Sequence, residues 1–409
     1  MTADPTRSSN LVLKAAGSVA SLDRTVWNGL ANPGWRRENG NLIADGTPAR
    51  GYDPFVDHDF LTALEETGCV DGRSGWYPRP LLIEDEAGTL RAAAPSYLKT
   101  HSQGEYVFDH GWADAFERAG GTYYPKLQVS VPFTPVTGPR LLVPPGPEAQ
   151  VLKTHLAEGL ATFAQQAEAS SVHATFLLKE DWEILEAQGY LPRTDVQFHW
   201  VDRGYGDFDG FLAALSSRKR KQIKRERRDA VAAGLAIEWV SGADLTEAHW
   251  DDFFAFYTDT GARKWGRPYL NRAFFSALSD KMADRVALVF ARNEGHAVAG
   301  ALNLMGSDTL YGRYWGCLED HPFLHFEICY YQAIEFALSR GLTRVEAGAQ
   351  GDHKLARGYE PTLTRSAHFI LHPGLRKAIA DYLAREREAV AVERDILSDH
   401  APYRREDGS

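Results

Sequence analysis

The stretch VEAGAQGDHKLARGYEP, from Val345 to Pro361, combines small residues with a dense group of ionisable ones. Glycines allow a backbone to approach a ligand closely, because no Cβ stands in the way. Charged side chains beside such a backbone can orient a substrate or move a proton. The ionisable residues are Glu346, Asp352, His353, Lys354 and Arg357. A strand, a turn and the start of an amphipathic helix would explain the glycines alone, whereas the ionisable groups favour a functional site.

The composition is that of a globular protein. Its 409 residues predict two or three domains, and 44% hydrophobic with 24% charged residues is an ordinary balance. No apolar run approaches the roughly 18 residues of a membrane span. Residues 1–16 are predicted to be a flexible leader without the apolar core of a signal peptide. Three cysteines without metal-type spacing predict neither a disulfide framework nor a metal site, and favour the cytoplasm.

The net charge of −10 gives no general attraction to nucleic acid or to an anionic membrane. Arg218–Arg228 reverses this balance locally, since eight of its eleven residues are basic. Such a run is either a solvated helix face or a contact surface for a polyanion: cofactor phosphates, an acidic carrier protein or RNA. Arg218, Arg220 and Lys224 are the candidate phosphate ligands in it.

Polar and aromatic residues alternate between residues 97 and 112 without a clean apolar face. A half-buried strand should alternate apolar with polar residues, so this segment is a second candidate for the lining of a cleft. The alternative is an aromatic-rich surface loop. With one lysine from the next strand, the candidates are Tyr97, Lys99, Ser102, Glu105, Tyr106, Asp109, Trp112 and Lys126.

A loop with Thr137, Gly138 and Arg140 lies between a predicted strand (127–133) and a predicted helix (148–167). A strand, a loop and a helix in this order offer free backbone N–H groups to an anion. No Gly-Lys-Ser/Thr follows, so the loop is not a P-loop. It is either a phosphate site or a proline-rich connection.

The two halves of the chain match at an offset of 169 positions. Gly189-Tyr190 corresponds to Gly358-Tyr359, and Pro192 corresponds to Pro361. Each half is predicted to order its elements as helix, antiparallel strands, helix, strand, helix and strand. A repeat this long indicates duplicated domains, which we place at 17–206 and 207–374, followed by a C-terminal helix and tail at 375–409. The boundary lies in Arg203–Gly206.

The same offset gives Leu177 as the counterpart of Glu346 and Ile184 as the counterpart of His353. A structural requirement of the fold would be expected in both copies. We therefore predict that the chemistry lies in the second half, with the first half supplying the facing wall.

Several long segments resemble a known family. They are residues 97–99, 101–102, 104–109, 123–128, 132–138, 328–332 and 346–354. The order of elements resembles the acyl-CoA N-acyltransferase (GNAT) fold, and two such domains in tandem resemble the Fem-type peptidyltransferases. The more specific similarity is to the bacterial FemAB-like "peptidoglycan biosynthesis" family. This resemblance implies an α/β (α+β) fold of two tandem GNAT-like domains, each with a mixed, mostly antiparallel sheet flanked by helices.

The resemblance implies acyl transfer to an amine, which needs a base, a polarised carbonyl and a proton for the leaving group. Glu346 is the candidate base, and His353, with an ordinary pKa of about 6.5, is the alternative. Glu327 is a third candidate for the cleft. Lys354 and Arg357 suit a carboxylate or phosphate. The remaining candidate substrate contacts are Trp315, Gln350 and Asp352.

The implied donor is a thioester, either acyl-CoA or an acyl carrier protein, and the acceptor is a small-molecule or peptide amine. The usual pyrophosphate loop, Gln/Arg-x-x-Gly-x-Gly/Ala, has no clean copy, either at 137–140 or at 321–325. The alternatives are a Fem-type enzyme that uses aminoacyl-tRNA, favoured by the basic run, and a non-catalytic protein that binds a cell-wall or peptide ligand. No Ser-His-Asp or Cys-His arrangement stands out, so a covalent intermediate is not predicted.

Overall fold

The structure is a computed structural model that describes residues 10–46, 48–264, 268–348 and 351–404. The strands are β1 (Val12–Ala15), β2 (Trp35–Glu38), β3 (Asn41–Ala44), β4 (Trp76–Pro78), β5 (Leu81–Glu84), β6 (Leu90–Ala94), β7 (Ser96–Lys99), β8 (Lys126–Val129), β9 (Ser171–Thr175), β10 (Leu191–Val201), β11 (Ala236–Ser241), β12 (Val286–Asn293), β13 (His296–Met305), β14 (Thr309–Cys317), β15 (Arg344–Glu346) and β16 (Glu360–Ile370). The helices are α1 (Arg24–Ala31), α2 (His58–Glu66), α3 (His110–Arg118), α4 (Ala149–Gln166), α5 (Lys179–Ala187), α6 (Phe208–Ala214), α7 (Ser217–Ala230), α8 (Glu247–Lys264), α9 (Arg272–Met282), α10 (Leu324–Phe326), α11 (Gln332–Ser339) and α12 (Pro373–Asp399).

One sheet of 11 strands runs through both halves in the order β11-β12-β13-β14-β15-β10-β16-β9-β8-β7-β4. Its pairs are antiparallel except for β8 with β9 and β14 with β15. Helices flank this sheet, so the predicted mixed, mostly antiparallel α/β fold is confirmed. Two small sheets, β1-β5-β6 and β2-β3, lie outside it.

The internal repeat is visible in the lengths and positions of β10 and β16. Both strands have 11 residues, and they begin 169 positions apart (360 − 191). Each is the last strand of its half, but each pairs across the halves. β10 lies between β15 and β16, and β16 lies between β10 and β9. The halves are therefore joined through exchanged strands.

Local sequence signals explain many element boundaries. Asp57 caps α2 through its side chain, and Asn271 caps α9 in the same way. Glu294 and Gly295 both have positive φ, at 48° and 85°, which is the conformation of a two-residue hairpin turn between β12 and β13. The basic run forms α7, whose Ile223 is fully buried while the basic side chains remain mostly outward.

The hydrophobic core is shared between the halves. One cluster joins Trp27 and Phe60 of the first half to Phe253, Phe275 and Leu288 of the second. Because these side chains exclude water only when both halves are present, this packing adds to the strand exchange in holding the molecule together.

The sheet register corrects one sequence-based correspondence. His199 of β10 pairs with Glu346, and His368 of β16, 169 positions later (368 − 199), pairs with His173. His173, not Leu177, is therefore the counterpart of Glu346. The prediction was wrong because the chain from Glu346 to β16 is four residues shorter than the chain from His173 to β10 (14 against 18 positions). The first half consequently has an ionisable residue at this position too.

Candidate functional site

A cavity of about 530 Å³ opens where β14 and β15 separate. The two strands pair only from Thr309 to Tyr311, whereas β14 continues to Cys317. Strand separation leaves a gap inside the sheet, and the gap is lined by β14, by the segment that follows β15, by β13 and by the helical segment that follows β14. The lining residues are Ala301, Asn303, Gly312, Arg313, Tyr314, Trp315, His325, Cys329, Tyr330, Ala347, Gly348, Gly351 and His353. A mixed polar and aromatic cavity of this size is typical of a small-molecule site.

Two ionisable groups of the cavity lining meet, the buried Tyr330 and the exposed His353. The Tyr330 hydroxyl lies 2.8 Å from His353 Nε2. Burial raises the pKa of the Tyr330 phenol, so this phenol keeps its proton at neutral pH. Tyr330 is on the turn of π-helix (Glu327–Tyr331) that joins α10 to α11, and such turns are frequent at functional sites.

The close approach of a glycine explains how His353 is placed. Gly351 has a φ of 119°, and a Cβ there would lie 2.4 Å from the His353 ring. His353 is the second residue of a 3-10 helix (Asp352–Arg357) that follows this glycine directly. The small residues of the stretch thus allow close packing, here against a side chain of the same loop.

Glu346 is buried beside the cavity at the end of β15. Burial raises the pKa of its carboxyl group to about 8. Its Oε1 lies 3.7 Å from His199 Nδ1, and its Oε2 has no hydrogen-bond partner among the described residues. Burial also lowers the pKa of His199 to about 3, so this pair is mainly neutral at pH 7.

Lys354 and Arg357 hold the wall of the cavity rather than opening into it. Lys354 Nζ donates to the Gly348 carbonyl at 2.7 Å, and burial lowers the pKa of this amine to about 8. Arg357 pairs with Glu226 at 2.9 Å, donates to the His353 carbonyl at 2.7 Å and stacks over a phenylalanine ring. Gln350 and the side chain of Asp352 lie outside the described residues.

Glu327 is buried in an ion pair and does not line the cavity. Arg227 of α7 holds it in a bidentate pair at 3.0 and 3.1 Å, and Gln332 donates to it at 2.8 Å. Its position on the π-helical turn, three residues before Tyr330, gives it a clear structural role. The pair fixes the turn that carries the phenol.

The predicted facing wall forms a separate, closed network in the first half. Lys126 Nζ donates to Ser102 Oγ, Glu105 Oε2 and Asp109 Oδ2 at 2.7, 2.7 and 2.6 Å. Lys99 Nζ lies 3.3 Å from Glu105 Oε1. All five residues are at most 4% exposed, and they contact one another instead of the cavity.

Burial and mutual attraction set the charges in this network. Lys99 has its pKa lowered to about 7 by burial, whereas the carboxylates around Lys126 raise the pKa of that amine. Burial opposes ionisation of Asp109, but Lys126 outweighs it and the pKa of Asp109 is lowered. Because each charge depends on its partner, the network is a unit that stabilises the first half only when complete.

The three aromatic candidates of the same segment, Tyr97, Trp112 and Tyr106, lie in different surroundings. Tyr97 is buried against Trp76 in the core. Trp112 lies over His173 and His368, whose Nδ1 atoms are 2.7 Å apart. Tyr106 differs from both: burial raises the pKa of its phenol, to which Tyr314 and Arg313 of the cavity lining make smaller, opposite contributions.

The loop at 137–140 is sealed. The Gly138 amide donates to the Phe176 carbonyl at 3.0 Å, and the Leu178 amide donates to the Gly138 carbonyl at 3.3 Å. Arg140 is 1% exposed and donates to three backbone carbonyls. Thr137 is half-buried beside them. An anion in solvent therefore cannot reach the Arg140 guanidinium. In the first half, the backbone hydrogen bonds of Gly138 close the gap between the strands, whereas the corresponding gap between β14 and β15 in the second half stays open.

The basic helix presents several cations to solvent. Arg218 is exposed, and Lys224 is exposed with a long pair to Asp209 at 3.5 Å. Arg220 is half-buried and donates to the Leu212 carbonyl at 3.0 Å, so it holds α6 against α7.

In the second half, the segment before α10 carries the exposed acids Glu319 and Asp320, which would repel a pyrophosphate.

The structure also assembles groups that sequence reasoning missed. Tyr330, Arg313, His325 and Asn303 line the cavity with the predicted Trp315 and His353. Tyr330 is three residues after the predicted candidate Glu327. An α-helical pattern does not predict the direction of its side chain, because these residues form a π-helical turn, in which successive side chains are spaced differently around the helix axis. No motif marks Arg313.

Two further features are absent from the described residues. Among the described residues, no group of three or more His, Cys, Asp or Glu side chains is arranged to hold a metal ion. In the same residues, no helix has the length and apolar character needed to cross a membrane.

The chain matches, over residues 18–405, a family described as FemAB-like, peptidoglycan biosynthesis/recognition. The protein belongs to the FemAB-like family. This agrees with the resemblance seen in the sequence, and the match covers both halves of the fold.

Known proteins similar to this FemAB-like chain share little sequence with it. Two curated relatives, each named putative 8-amino-7-oxononanoate synthase 2, come from two strains of Mycobacterium tuberculosis. They are 24% identical over 261 residues, 55% of this chain and 32% of theirs. The chain thus spans about a third of the length of the curated relatives that it matches.

Among solved structures, FemX is 13% identical, with 78% of this chain and 94% of that chain covered and a TM-score of 0.49. A conserved protein of unknown function from Bacteroides thetaiotaomicron is 14% identical, with coverages of 88% and 100% and a TM-score of 0.49. L-PGS from Bacillus licheniformis is 10% identical, with coverages of 90% and 100% and a TM-score of 0.47. At such identities the likeness concerns the fold alone.

Proposed function

We propose that this FemAB-like protein is an N-acyltransferase. It moves an acyl group from a thioester donor, acyl-CoA or an acyl carrier protein, to an amine of a small-molecule or peptide acceptor. The reaction takes place in the cavity between β14 and β15. The observation that carries the proposal is the Tyr330–His353 pair, 2.8 Å apart, inside a cavity of about 530 Å³.

The residues of the cavity match the proton transfers of acyl transfer. The attacking amine loses a proton when the new C–N bond forms, and the leaving group gains one when the old C–S bond breaks. His353 is placed to accept the first proton, and Tyr330, protonated at neutral pH, is placed to supply the second; transfer of a proton from His353 to Tyr330 across their 2.8 Å contact then restores both groups. Glu346, with a pKa of about 8, is the second candidate base, acting through water because it does not line the cavity.

The proposal predicts that Tyr330→Phe lowers kcat by about 10²- to 10⁴-fold, the usual contribution of a positioned acid or base. Turnover is measured with a panel of acyl-CoA and acyl carrier protein thioesters on amine acceptors. Tyr190→Phe is the matched control, because that phenol is equally buried and donates to the Ala157 carbonyl at 2.8 Å in the first half. Full activity of Tyr330→Phe, or an equal loss in both variants, would refute the role of Tyr330.

An aminoacyl-tRNA donor is the second candidate, and the exposed face of α7 favours it. Arg218, Lys221, Arg225 and Arg228 are exposed on this helix, while Arg227 ties the same helix to the π-helical turn beside the cavity. A polyanion on α7 would thus lie next to the site. Thermal stabilisation by each donor separates the two candidates, since a ligand at 100 times its Kd stabilises the folded state by about 2.7 kcal/mol.

The tRNA candidate has a sharp test. Charge reversal at Lys221 and Arg225 should weaken tRNA binding and flatten its salt dependence, because fewer counterions are released. The same variant should leave turnover with an acyl-CoA donor unchanged. If charged tRNA neither stabilises the protein nor serves as donor, the second candidate is excluded, and if no donor of either kind is used, both fail.

A further inference from the structure

Arg313 is the cation of the cavity. It is half-buried on β14 and lines the cavity with Tyr314 and Trp315. Its Nη2 donates to the Phe133 carbonyl of the first half at 2.9 Å, and its guanidinium lies 5.7 Å from the Phe55 ring and 5.4 Å from the Tyr314 ring. These contacts from both halves hold the guanidinium in place before any ligand arrives.

The charge of Arg313 is not neutralised by the protein. Within the described part of the chain, no Asp or Glu forms an ion pair with it, as is also true of the half-buried Arg220, whereas the half-buried Arg37 and Arg227 each have one. Burial raises the pKa of the Glu346 carboxyl group beside the cavity, and Arg344 and Arg313 oppose this rise only in part, so the group is mainly protonated at neutral pH. A partly desolvated cation without a counterion is costly, so a fixed one in a cavity favours an anionic ligand.

We propose that Arg313 binds a carboxylate of the acceptor, so that the substrates of this site are amines that also carry a carboxylate, as amino acids and peptides do. The role of the bound amine as the acceptor rests on the proposed function. The binding of a carboxylate at Arg313 does not. A planar guanidinium matches a carboxylate with two parallel hydrogen bonds, and such charge-assisted bonds are short and strong.

The charge count favours a carboxylate over a phosphate. Arg313 is the only Arg or Lys among the described residues that line the cavity. One fixed positive charge balances one carboxylate, whereas a phosphate monoester carries nearly two negative charges near neutral pH. The exposed Glu319 and Asp320, close to the Trp315 and His325 end of the site, add to the repulsion of a multiply charged ligand.

Direct binding tests the proposal without any turnover. The probes are the L,L and D,D forms of alanylalanine and their C-terminal amides, measured by calorimetry at pH 7. We expect the free acid of at least one form to bind about tenfold or more tightly than its amide, the difference expected for a hydrogen bond between charged groups. Equal affinities of acid and amide, no binding of either, or displacement of the peptide by inorganic phosphate at lower concentration would each overturn the proposal.

Two variants of Arg313 and two control variants assign the effect to the guanidinium. Arg313→Gln should abolish the preference for the acid, and Arg313→Lys should keep part of it, because the charge remains. Tyr314→Phe removes the other donor to the Phe133 carbonyl, at 3.0 Å, without changing charge, so it reports any effect of loosening that loop. Arg118→Gln, at an exposed helix position, controls for net charge. An unchanged preference in Arg313→Gln, or the same loss in Tyr314→Phe, would overturn the assignment.

The outcomes for the inference and for the proposed function differ. Carboxylate-dependent binding without acyl transfer would support Arg313 as the anion ligand and refute the transferase. Acyl transfer at equal kcat/KM to the free acids and to the amides would support the transferase and refute the role of Arg313.

Discussion

Glu346 ends β15 with its side chain 6% exposed, and this burial raises the pKa of the carboxyl group to about 8. In the unfolded chain the same group titrates near its ordinary value of 4.5. Between these two pH values the folded protein holds a proton that the unfolded chain has lost. The free energy of unfolding should therefore fall as pH rises from about 4.5 to 8.

Glu346→Gln should remove this pH dependence. We expect the variant to gain a few kcal/mol over the wild type at pH 9 relative to pH 5, since each pKa unit corresponds to about 1.4 kcal/mol. Urea unfolding at the two pH values measures it. Glu388→Gln, at an exposed position of α12, should show no such gain. Parallel pH profiles of the wild type and Glu346→Gln would show that burial does not raise this pKa.

Single residues also show how far the site was predictable. The cluster in Val345–Pro361 led to His353, which lines the cavity, and to Glu346 beside it. The same kind of signal, polar groups in an aromatic segment, led to Lys99 and Glu105, which form a closed network elsewhere. Residue type shows that a group can do chemistry, but only its neighbours decide whether its charge is already satisfied.

The π-helical turn and α7 are the elements that position the catalytic candidates. Arg227 of α7 pairs with Glu327 on the turn, and Glu226 of α7 accepts from Tyr331 and Arg357. A local sequence pattern does not predict this link, since the paired residues are 100 or more positions apart. The link explains why a helix rich in exposed charge is nevertheless fixed in place.

A double-mutant cycle on Arg227 and Glu327 separates structure from catalysis. Arg227→Met alone should destabilise the protein by about 2 to 3 kcal/mol, because it leaves the buried Glu327 carboxylate without its partner. Adding Glu327→Gln should restore much of that loss. Chemical unfolding and turnover are measured on all four proteins. If stability returns but turnover does not, Glu327 takes part in the reaction after all.

At the scale of the whole molecule, the exchange of β10 and β16 determines how the halves depend on each other. β10 has both of its sheet neighbours, β15 and β16, in the second half. β9 has β16 as its outer neighbour. A first half cut at the predicted boundary near residue 206 would therefore expose the edges of two strands.

Fragments test this dependence. Residues 10–206 and 207–404, expressed separately, should each lack stable tertiary structure, while the full chain should unfold in one cooperative transition. Co-expression should give a folded complex, since the exchanged strands can pair between fragments. Dispersed amide NMR spectra and an independent melting transition for either fragment alone would contradict this expectation.

The sequence by itself determined the local elements and their repetition. Caps such as Asp57, the turn at Glu294-Gly295 and the offset of 169 positions depend on residues close together in the chain, or on the chain compared with itself. Only the tertiary structure decided which gap in the sheet stays open. Arg313 meets Phe133 across 180 positions, Gly138 closes the first half, and β14 leaves β15 in the second. Such contacts depend on burial and on partners brought together by folding, which a local pattern does not encode.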